Sequence, residues 1–120
     1  MIGLVQRVTY AQVKVDGEVI GKIGNGFVLL LGIEKDDTTV ISDKLANKIS
    51  KLRVFNDVNG KMNLNLSQVN GELLIVSQFT LAADTEKGNR PGFSSAASPE
   101  LSKTLYLHFI EYCRSLGISC

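Results

Sequence analysis

Four turn signals that contain glycine constrain the fold of this chain more than any other feature of its sequence. They are Asp16-Gly17, Gly24-Asn25-Gly26, Asn59-Gly60 and Asn70-Gly71. Asp-Gly between alternating apolar residues is a strong hairpin signal, because both central positions of the favoured two-residue turn need a positive φ. The first half of the chain is therefore expected to begin as an antiparallel meander of short strands.

Alternating β-branched and apolar residues predict the strands between these turns. We expect strands over residues 2–11, 12–15, 18–23 and 27–33, the last of them buried on both faces. A short one-sided strand is expected within residues 61–69, and a further buried strand over residues 72–81.

Two segments have helical periodicity instead. Residues 36–53 carry Ile41, Leu45 and Ile49 at helical spacing, with Thr38 or Thr39 as the expected cap. The second helix is expected to begin at Ser98, which is followed by proline and an acidic residue, and to end near Gly117.

These elements predict an α/β fold of the α+β type, in which two helices pack on a curved, mostly antiparallel sheet or partial barrel. A chain of 120 residues is long enough for one domain with its own core, and we expect residues 1–120 to form a single domain. Residues 118–120 follow the second helix and begin a possible strand, so we expect the C-terminus to be incomplete.

Composition excludes several classes of function. The chain has 13 basic and 12 acidic residues, so no overall positive field attracts nucleic acid, although a local patch remains possible. With one histidine, a His-rich metal site is excluded, and any catalytic triad must use His108. No metal or organic cofactor is expected.

The same composition argues for a cytoplasmic protein. The longest apolar run, residues 27–31, is too short to span a membrane, and no signal peptide is visible. Cys113 and Cys120 have no metal-binding spacing and make a poor disulfide framework, which suits a reducing compartment.

Polar residues at the end of the strand over residues 72–81 are the best candidates for chemistry. Ser77 and Thr80 are potential nucleophiles or hydrogen-bond donors, and Gln78 can orient a carbonyl or a ribose hydroxyl. Burying them without partners costs free energy. The alternative is that the hydroxyls satisfy backbone groups at the strand end, since no base is adjacent in sequence.

A long irregular segment, residues 82–97, follows this strand. Segments of this length in compact domains usually have a function. Its basic residues, Lys87 and Arg90, could contact phosphates, whereas an ordinary charged surface loop that also carries Asp84 and Glu86 is the simpler interpretation.

Two further residues have open interpretations. Arg7 interrupts the first strand and could pair with a carboxylate, line a site or lie on a solvated face. His108 lies at the edge of the apolar face of the second helix, where a local hydrogen bond is a more common role than catalysis. Cys113 is turned well away from it, which argues against Cys-His catalysis.

Six blocks of the sequence resemble the D-aminoacyl-tRNA deacylases. In order they are MIGLVQRV (1–8), LGIEKDD (31–37), GKMNLN (60–65), SQFTLAAD (77–84), RPGFS (90–94) and ASPE (97–100). The resemblance extends to about Leu116, and Ser-Gln-Phe-Thr is its most specific block.

The resemblance implies a homodimer that hydrolyses the ester between a D-amino acid, or mischarged glycine, and the acceptor end of tRNA. Ser77, Gln78, Phe79 and Thr80 match the active-site motif, with the Phe79 amide helping to hold the oxyanion. Either Thr80 acts as the nucleophile, or the 2′-hydroxyl of the tRNA takes part, and the lack of a base beside Thr80 favours the second. Substrate contacts are expected at Arg7, Ala82, Arg90, Pro91 and Phe93.

One element of the family's pattern is missing. The family selects chirality with a cis Gly-Pro dipeptide in an Asn-x-Pro-Val-Thr motif, and neither Pro91 nor Pro99 lies in such a motif. We expect either that this chain is a shortened version of a longer protein or that it lacks the Gly-Pro selectivity element. If it ends at Cys120, weak deacylation and a compromised dimer are expected.

The sequence is also compatible with two other functions. A non-catalytic nucleic-acid-binding dimer would need Lys44, Lys48, Lys51 and Arg53 to cluster with Arg7. In a purely structural dimer, the segment from Ser77 to Thr80 would only end a strand. Hydrolysis of an aminoacyl-tRNA ester distinguishes the enzyme from both.

Overall fold

The computed structural model describes residues 1–82 and 96–120, which form seven strands, two α-helices and two 3₁₀ helices. The strands are β1 (Ile2–Val8), β2 (Ala11–Val15), β3 (Glu18–Ile23), β4 (Gly26–Gly32), β5 (Phe55–Asn56), β6 (Met62–Leu64) and β7 (Glu72–Ser77). The α-helices are α1 (Thr39–Ser50) and α2 (Pro99–Ser115), and the 3₁₀ helices are Ser67–Val69 and Phe79–Ala82. The predicted mixed fold with two helices is confirmed.

A three-stranded sheet, in the order β1-β4-β7, forms the centre of the fold. β1 is antiparallel to β4, with Leu4 opposite Leu30, and β4 is parallel to β7, with Leu31 opposite Ser77. The described residues also form two separate antiparallel pairs, β2-β3 and β5-β6.

The β2-β3 hairpin has the predicted turn. Asp16 has a φ of 51° and Gly17 a φ of 83°, as a two-residue turn with two positive φ angles requires. On the far side of the hairpin, Gly21 faces β7, and a Cβ at this position would lie 3.0 Å from Leu74. The hairpin therefore packs closely against the sheet.

One face of the central sheet lies in the core. The alternate residues Phe27, Leu29 and Leu31 of β4 are fully buried, because successive side chains of a strand point to opposite faces. They share a cluster with residues of both helices, including Ile49 and Phe109.

Local capping sets the start of both helices. The Thr38 hydroxyl accepts a hydrogen bond from the Ile41 amide at 3.3 Å, and the Ser98 hydroxyl accepts one from the Leu101 amide at 3.2 Å. The sequence predicted Ser98 as the cap of α2 and offered Thr38 or Thr39 as the cap of α1. The structure identifies Thr38 as this cap. Gly117 follows α2 with a φ of 84°, as expected for a terminator.

Two predicted elements are shorter than the sequence suggested. The predicted helix over residues 36–53 begins only at Thr39, because Asp37 is held in a turn by the amide of Glu34. The short strand predicted within residues 61–69 is limited to Met62–Leu64, since Asn65 and Gln68 exchange side-chain to backbone hydrogen bonds of 2.9 and 3.0 Å that begin a 3₁₀ helix.

The last residues run beside β7. The amide of Leu73 donates a hydrogen bond of 2.9 Å to the carbonyl oxygen of Ser119, which forms an isolated parallel bridge with Glu72. Neither helix of the described residues is long and apolar enough to cross a membrane.

Candidate active site

The polar segment at the end of β7 forms a tight turn instead of the predicted strand. β7 ends at Ser77, and the next amide, of Gln78, donates a last hydrogen bond of 2.8 Å to the Leu31 carbonyl of β4. Phe79–Ala82 is a 3₁₀ helix, in which the Leu81 amide bonds to the Gln78 carbonyl at 3.3 Å. The prediction of a strand through Leu81 is therefore wrong.

Gly32 explains why the chain can turn at this point. A Cβ built on Gly32 would lie 2.7 Å from the Cβ of Leu81 and 3.4 Å from the carbonyl oxygen of Gln78. Only glycine allows the 3₁₀ helix to pack so closely against the end of β4. The site is thus positioned by a contact between residues almost fifty positions apart.

A side-chain hydrogen bond organises the turn. The amide nitrogen Nε2 of Gln78 donates to the hydroxyl oxygen Oγ1 of Thr80 at 2.5 Å. Gln78 itself is fixed by its backbone bond to β4, whereas Thr80 is exposed and the Phe79 side chain is 59% exposed. The arrangement presents an oriented hydroxyl whose proton can still be donated.

Among the described residues, no base is placed to activate Thr80 as a nucleophile. Activation requires a base that accepts the hydroxyl proton, but Gln78 donates to this oxygen. Within residues 1–82 and 96–120, no hydrogen bond joins Thr80 to an acidic side chain or to the imidazole. The turn is better suited to hold a substrate than to attack it.

A pocket of about 260 Å³ lies beside Ser77. Val13 and Ile20 of the hairpin, Leu74 and Val76 of β7, and Tyr106 of α2 form most of its wall. The Tyr106 hydroxyl donates to the Ile75 carbonyl at 2.8 Å, and burial raises the pKa of this phenol. The pocket has room for one side chain or a part of a ribose.

Arg7 lies at the other end of the sheet. Arg7 of β1 lies opposite Phe27 of β4, and Phe27 lies opposite Leu73 of β7. Ser77 is four residues further along β7. At about 3.3 Å per residue this separation is about 13 Å. The structure does not bring Arg7 to the turn at Ser77–Ala82 within one chain.

Arg7 instead borders a groove of about 670 Å³ that the sequence did not predict. Its guanidinium donates to the Val54 carbonyl at 2.6 Å. The other polar residues of the wall are Thr9, Tyr10, Asn25 and Asn56. Asn25 belongs to a segment that the sequence identified only as a turn, so no local signal marked this groove.

The other candidate residues lie apart from the turn or outside the described residues. His108 bonds through Nε2 to Asp43 of α1 at 2.7 Å, which is the local role that the sequence favoured. Ala82 ends the 3₁₀ helix. The remaining substrate-contact candidates and the charged loop residues fall outside the described residues; they are Asp84, Glu86, Lys87, Arg90, Pro91 and Phe93.

Metal ligands do not gather at the turn. Among residues 1–82 and 96–120, no three His, Cys, Asp or Glu side chains lie close enough to hold a metal ion. The described side chains of the turn offer hydroxyl and carboxamide groups, beside the groups of the backbone.

Comparison with known proteins identifies the family. The model of the D-Tyr-tRNA(Tyr) deacylase family matches residues 4–119. The D-aminoacyl-tRNA deacylase of Hahella chejuensis is 61% identical over 116 residues, which are 97% of this chain and 80% of that protein. The D-aminoacyl-tRNA deacylase of Alteromonas mediterranea is 56% identical over 119 residues, which are 99% of this chain and 82% of that protein.

A solved structure has the same fold. The c-Myc DNA Unwinding Element Binding Protein superposes with a TM-score of 0.89 and 42% sequence identity, covering 95% of this chain and 76% of its own. The family model matches almost the whole chain, the relatives are identical to it at more than half of the aligned positions, and the fold is shared. This chain belongs to the D-Tyr-tRNA(Tyr) deacylase family.

Proposed function

We propose that this chain hydrolyses the ester bond between a D-amino acid, or mischarged glycine, and the terminal ribose of tRNA. Membership of the family over residues 4–119 is the observation that carries this proposal, together with the names of its relatives. Such an enzyme removes wrongly charged amino acids before they reach the ribosome. Water adds to the ester carbonyl, the bond to the ribose oxygen breaks, and a proton passes to that oxygen.

The turn at Ser77–Ala82 is the proposed site of this reaction. In this proposal the Phe79 amide donates to the oxyanion that forms on the ester carbonyl. Gln78 and Thr80 act as a pair, because the amide group of Gln78 fixes the hydroxyl oxygen and leaves its proton for the substrate. The 2′-hydroxyl of the tRNA relays a proton, accepting one from the attacking water as it passes its own to the leaving ribose oxygen. Ser77 lines the pocket beside the ester.

Single-turnover hydrolysis of D-tyrosyl-tRNA tests both the activity and this division of roles. We expect Thr80→Ala to retain activity within about tenfold, since loss of one positioning hydrogen bond costs about 1 kcal/mol. Loss of a nucleophile would instead cost about 10⁴-fold or more. A substrate with a terminal 2′-deoxyadenosine should be cleaved far more slowly by the unmodified enzyme.

Thr104→Ala is the matched control for this experiment. Thr104 is an exposed threonine of α2 whose hydroxyl donates to the Glu100 carbonyl of the same helix at 3.0 Å, so the rate should not change. Intact D-tyrosyl-tRNA after prolonged incubation with the unmodified protein would refute the proposed activity. Full cleavage of the deoxy substrate would refute only the role of the 2′-hydroxyl.

We also infer that the chain acts as a homodimer. Leu4 of β1, Leu30 of β4 and Val76 of β7 stand side by side across the central sheet, on the face that is not in the core. Leu4 is 53% exposed and the neighbouring Ile2 is 37% exposed. An apolar row across three strands is typical of a surface that another protein covers.

A cytoplasmic location is part of the same proposal. Cys113 is buried and Cys120 is half-buried, and both are free thiols, which suits a reducing compartment. Aminoacyl-tRNA, the proposed substrate, is used in that compartment.

Nucleic-acid binding without hydrolysis is a second candidate, favoured by the name of the solved structure with 42% identity. Lys44, Lys48, Lys51 and Arg53 are all exposed, and the guanidinium of Arg7 reaches the backbone next to Arg53. This candidate predicts strongly salt-dependent binding of oligonucleotides, weakened by Arg7→Ala together with Arg53→Ala but not by Lys14→Ala on the hairpin. Such binding with an intact ester would favour it over the deacylase.

A further inference from the structure

The fold brings together two cysteines that the sequence did not mark as a pair. Cys113 lies near the end of α2 and is fully buried, whereas Cys120 is half-buried and packs against the same core cluster. Both are free thiols, and a side-chain hydrogen bond joins them. The two sulfur atoms are therefore close neighbours, although seven positions separate the residues in the chain.

The backbone that follows α2 explains why the two thiols meet. The Ile118 amide donates a hydrogen bond of 3.2 Å to the Cys113 carbonyl, and the chain then runs beside β7. There the Ser119 carbonyl accepts a hydrogen bond of 2.9 Å from the Leu73 amide. Ile118 is buried and Ser119 is exposed, so alternation along this extended segment turns Cys120 to the buried side, where Cys113 lies.

A cavity of about 310 Å³ gives access to Cys120. Apolar residues of β3, β7 and α2 form most of its wall, and Lys22 and Arg114 add two cationic side chains. Cys120 belongs to the lining of this cavity, whereas Cys113 is buried behind it. A small anionic reagent that enters the cavity therefore meets the Cys120 thiol first.

The surroundings of the two thiols give them different reactivity. The hydrogen bond from the Cys113 thiol lowers the pKa of Cys120, and the charge of Arg114 lowers it further, although burial acts in the opposite direction. The Arg114 guanidinium also donates to the Cys120 carbonyl at 3.3 Å, which keeps this charge nearby. The same thiol hydrogen bond, together with burial, raises the pKa of Cys113. Since the thiolate is the nucleophile in exchange reactions, Cys120 is the more reactive of the two.

We propose that Cys113 and Cys120 form a redox-active pair, in which a small anionic disulfide reacts first at Cys120 and the Cys113 thiol then displaces it to give an intramolecular disulfide. Oxidised glutathione is a suitable probe of this class, because its carboxylates match the cationic side chains of the cavity, Lys22 and Arg114. The proposal does not depend on the hydrolysis of tRNA esters.

The reaction has two exchange steps. In the first step the Cys120 thiolate attacks one sulfur of oxidised glutathione, the disulfide bond of the reagent breaks, and one glutathione thiolate leaves. Cys120 is then uncharged, so the anion that raised the pKa of Cys113 is gone. In the second step Cys113 gives up its proton and attacks the Cys120 sulfur, and a second glutathione thiolate leaves. Overall the two cysteines lose two electrons and two protons, and oxidised glutathione is reduced to two molecules of glutathione.

The disulfide has a structural consequence at the end of α2. It closes a ring of eight residues, from Cys113 to Cys120, and ties the segment that bonds to Leu73 of β7 directly to the helix. A cross-link favours the native state when the folded chain already holds the two sulfurs together. The folded protein should therefore form this disulfide more readily than the unfolded chain does.

The experiment equilibrates the full chain with mixtures of reduced and oxidised glutathione, once in the folded state and once in concentrated urea. Alkylation of the remaining thiols and mass spectrometry give the fraction of the intramolecular disulfide. We expect its equilibrium constant of formation to be about tenfold higher, or more, in the folded protein. The Leu73 amide, which bonds to Ser119, should exchange its hydrogen more slowly after oxidation. A constant that is no higher in the folded protein, or a disulfide that joins two chains instead, would overturn the proposal.

Two variants test the order of the steps. Cys113→Ser should stop the reaction at a stable mixed disulfide between Cys120 and glutathione, and Cys120→Ser should leave the buried Cys113 unmodified. A mixed disulfide that persists in the unmodified protein, or one that forms on Cys113, would contradict the assigned roles. If Cys113→Ser does not fold, the comparison of folded and unfolded chains still decides, because it needs no substitution.

A double variant provides the matched control. Cys120→Ser combined with Ser119→Cys moves the thiol by one residue, to the exposed side of the same segment. This protein should form the mixed disulfide with glutathione but not the intramolecular one. An intramolecular disulfide that forms equally well in this variant would show that the pairing of Cys120 with Cys113 is not specific.

Discussion

Gly32 shows how a single residue sets the position of the candidate site. Sequence patterns mark it only as the end of an apolar run, yet its missing side chain is what lets Leu81 approach β4. By contrast, the candidate residues themselves were predicted from the sequence alone, since Ser77, Gln78 and Thr80 are polar residues at the end of a buried strand. The type of each residue is given by the sequence itself, whereas the space around it depends on the packing of residues that are far away in the chain.

Gly32→Ala should therefore damage both stability and activity. We expect the free energy of unfolding to fall by about 1–3 kcal/mol, as is typical when a methyl group is forced into a filled space. The 3₁₀ helix should shift, and the rate of D-tyrosyl-tRNA hydrolysis should fall with it. Urea unfolding and single-turnover kinetics measure the two effects.

Gly24→Ala is the control for this prediction. A Cβ at Gly24 would meet only the Glu72 carboxylate, at an ordinary contact distance of 3.7 Å. Its stability should stay within about 0.5 kcal/mol of the unmodified protein. If both alanine variants behave alike, the close packing of Gly32 on Leu81 does not position the site.

At the level of elements, α2 followed its prediction from the sequence more closely than β7 did. α2 begins at the predicted cap because Ser98 and Pro99 act on the adjacent backbone. β7 ends four residues before its predicted end, because its length depends on β4, which ends at Gly32. A strand needs a partner, and the partner's end is not encoded in the strand's own residues.

Tyr106 provides a test of how α2 is attached to β7. Tyr106→Phe removes the hydrogen bond to the Ile75 carbonyl, and we expect a loss of about 1 kcal/mol in stability. Because burial raises the pKa of Tyr106, the unfolded chain releases the phenol proton first, so this residue stabilises the native state less above about pH 10. The phenylalanine variant has no phenol at this position, so it should not show this loss of stability above about pH 10.

Tyr10→Phe is the matched control. Tyr10 is 55% exposed, and its hydroxyl bonds to the nearby Gln12 side chain at 2.5 Å. Thermal unfolding at pH 8 and at pH 10.5 should show little change for this variant. An equal loss in both variants would contradict a specific role for the bond between Tyr106 and Ile75.

The whole molecule presents one buried and one partly open sheet face. Phe27, Leu29 and Leu31 are covered by the helices, whereas Leu4 and Ile2 on the other face remain exposed. Within one chain, Arg7 and the turn at Ser77–Ala82 also lie at opposite ends of this sheet. A single chain therefore leaves Leu4 and Ile2 exposed, and it keeps Arg7 away from the turn at Ser77–Ala82.

The proposed dimer can be tested on the open face. Leu4→Asp places a charge in the apolar row and should shift the protein from dimer to monomer in analytical ultracentrifugation at micromolar concentration. Val58→Asp adds the same charge at a fully exposed position of the β5-β6 region and should leave the dimer intact. A Leu4→Asp protein that sediments as a dimer would place the interface elsewhere.

The sequence by itself determined the turns, the cap of α2, the apolar periods and the family, because each depends on residues close together in the chain or on the order of its motifs. The tertiary structure decided where β7 gives way to the 3₁₀ helix, at which end of the sheet Arg7 lies, and that Gly32 meets Leu81. These features depend on contacts between residues that are far apart in the chain. The packing of the whole fold fixes such contacts, and no local pattern of residues specifies them.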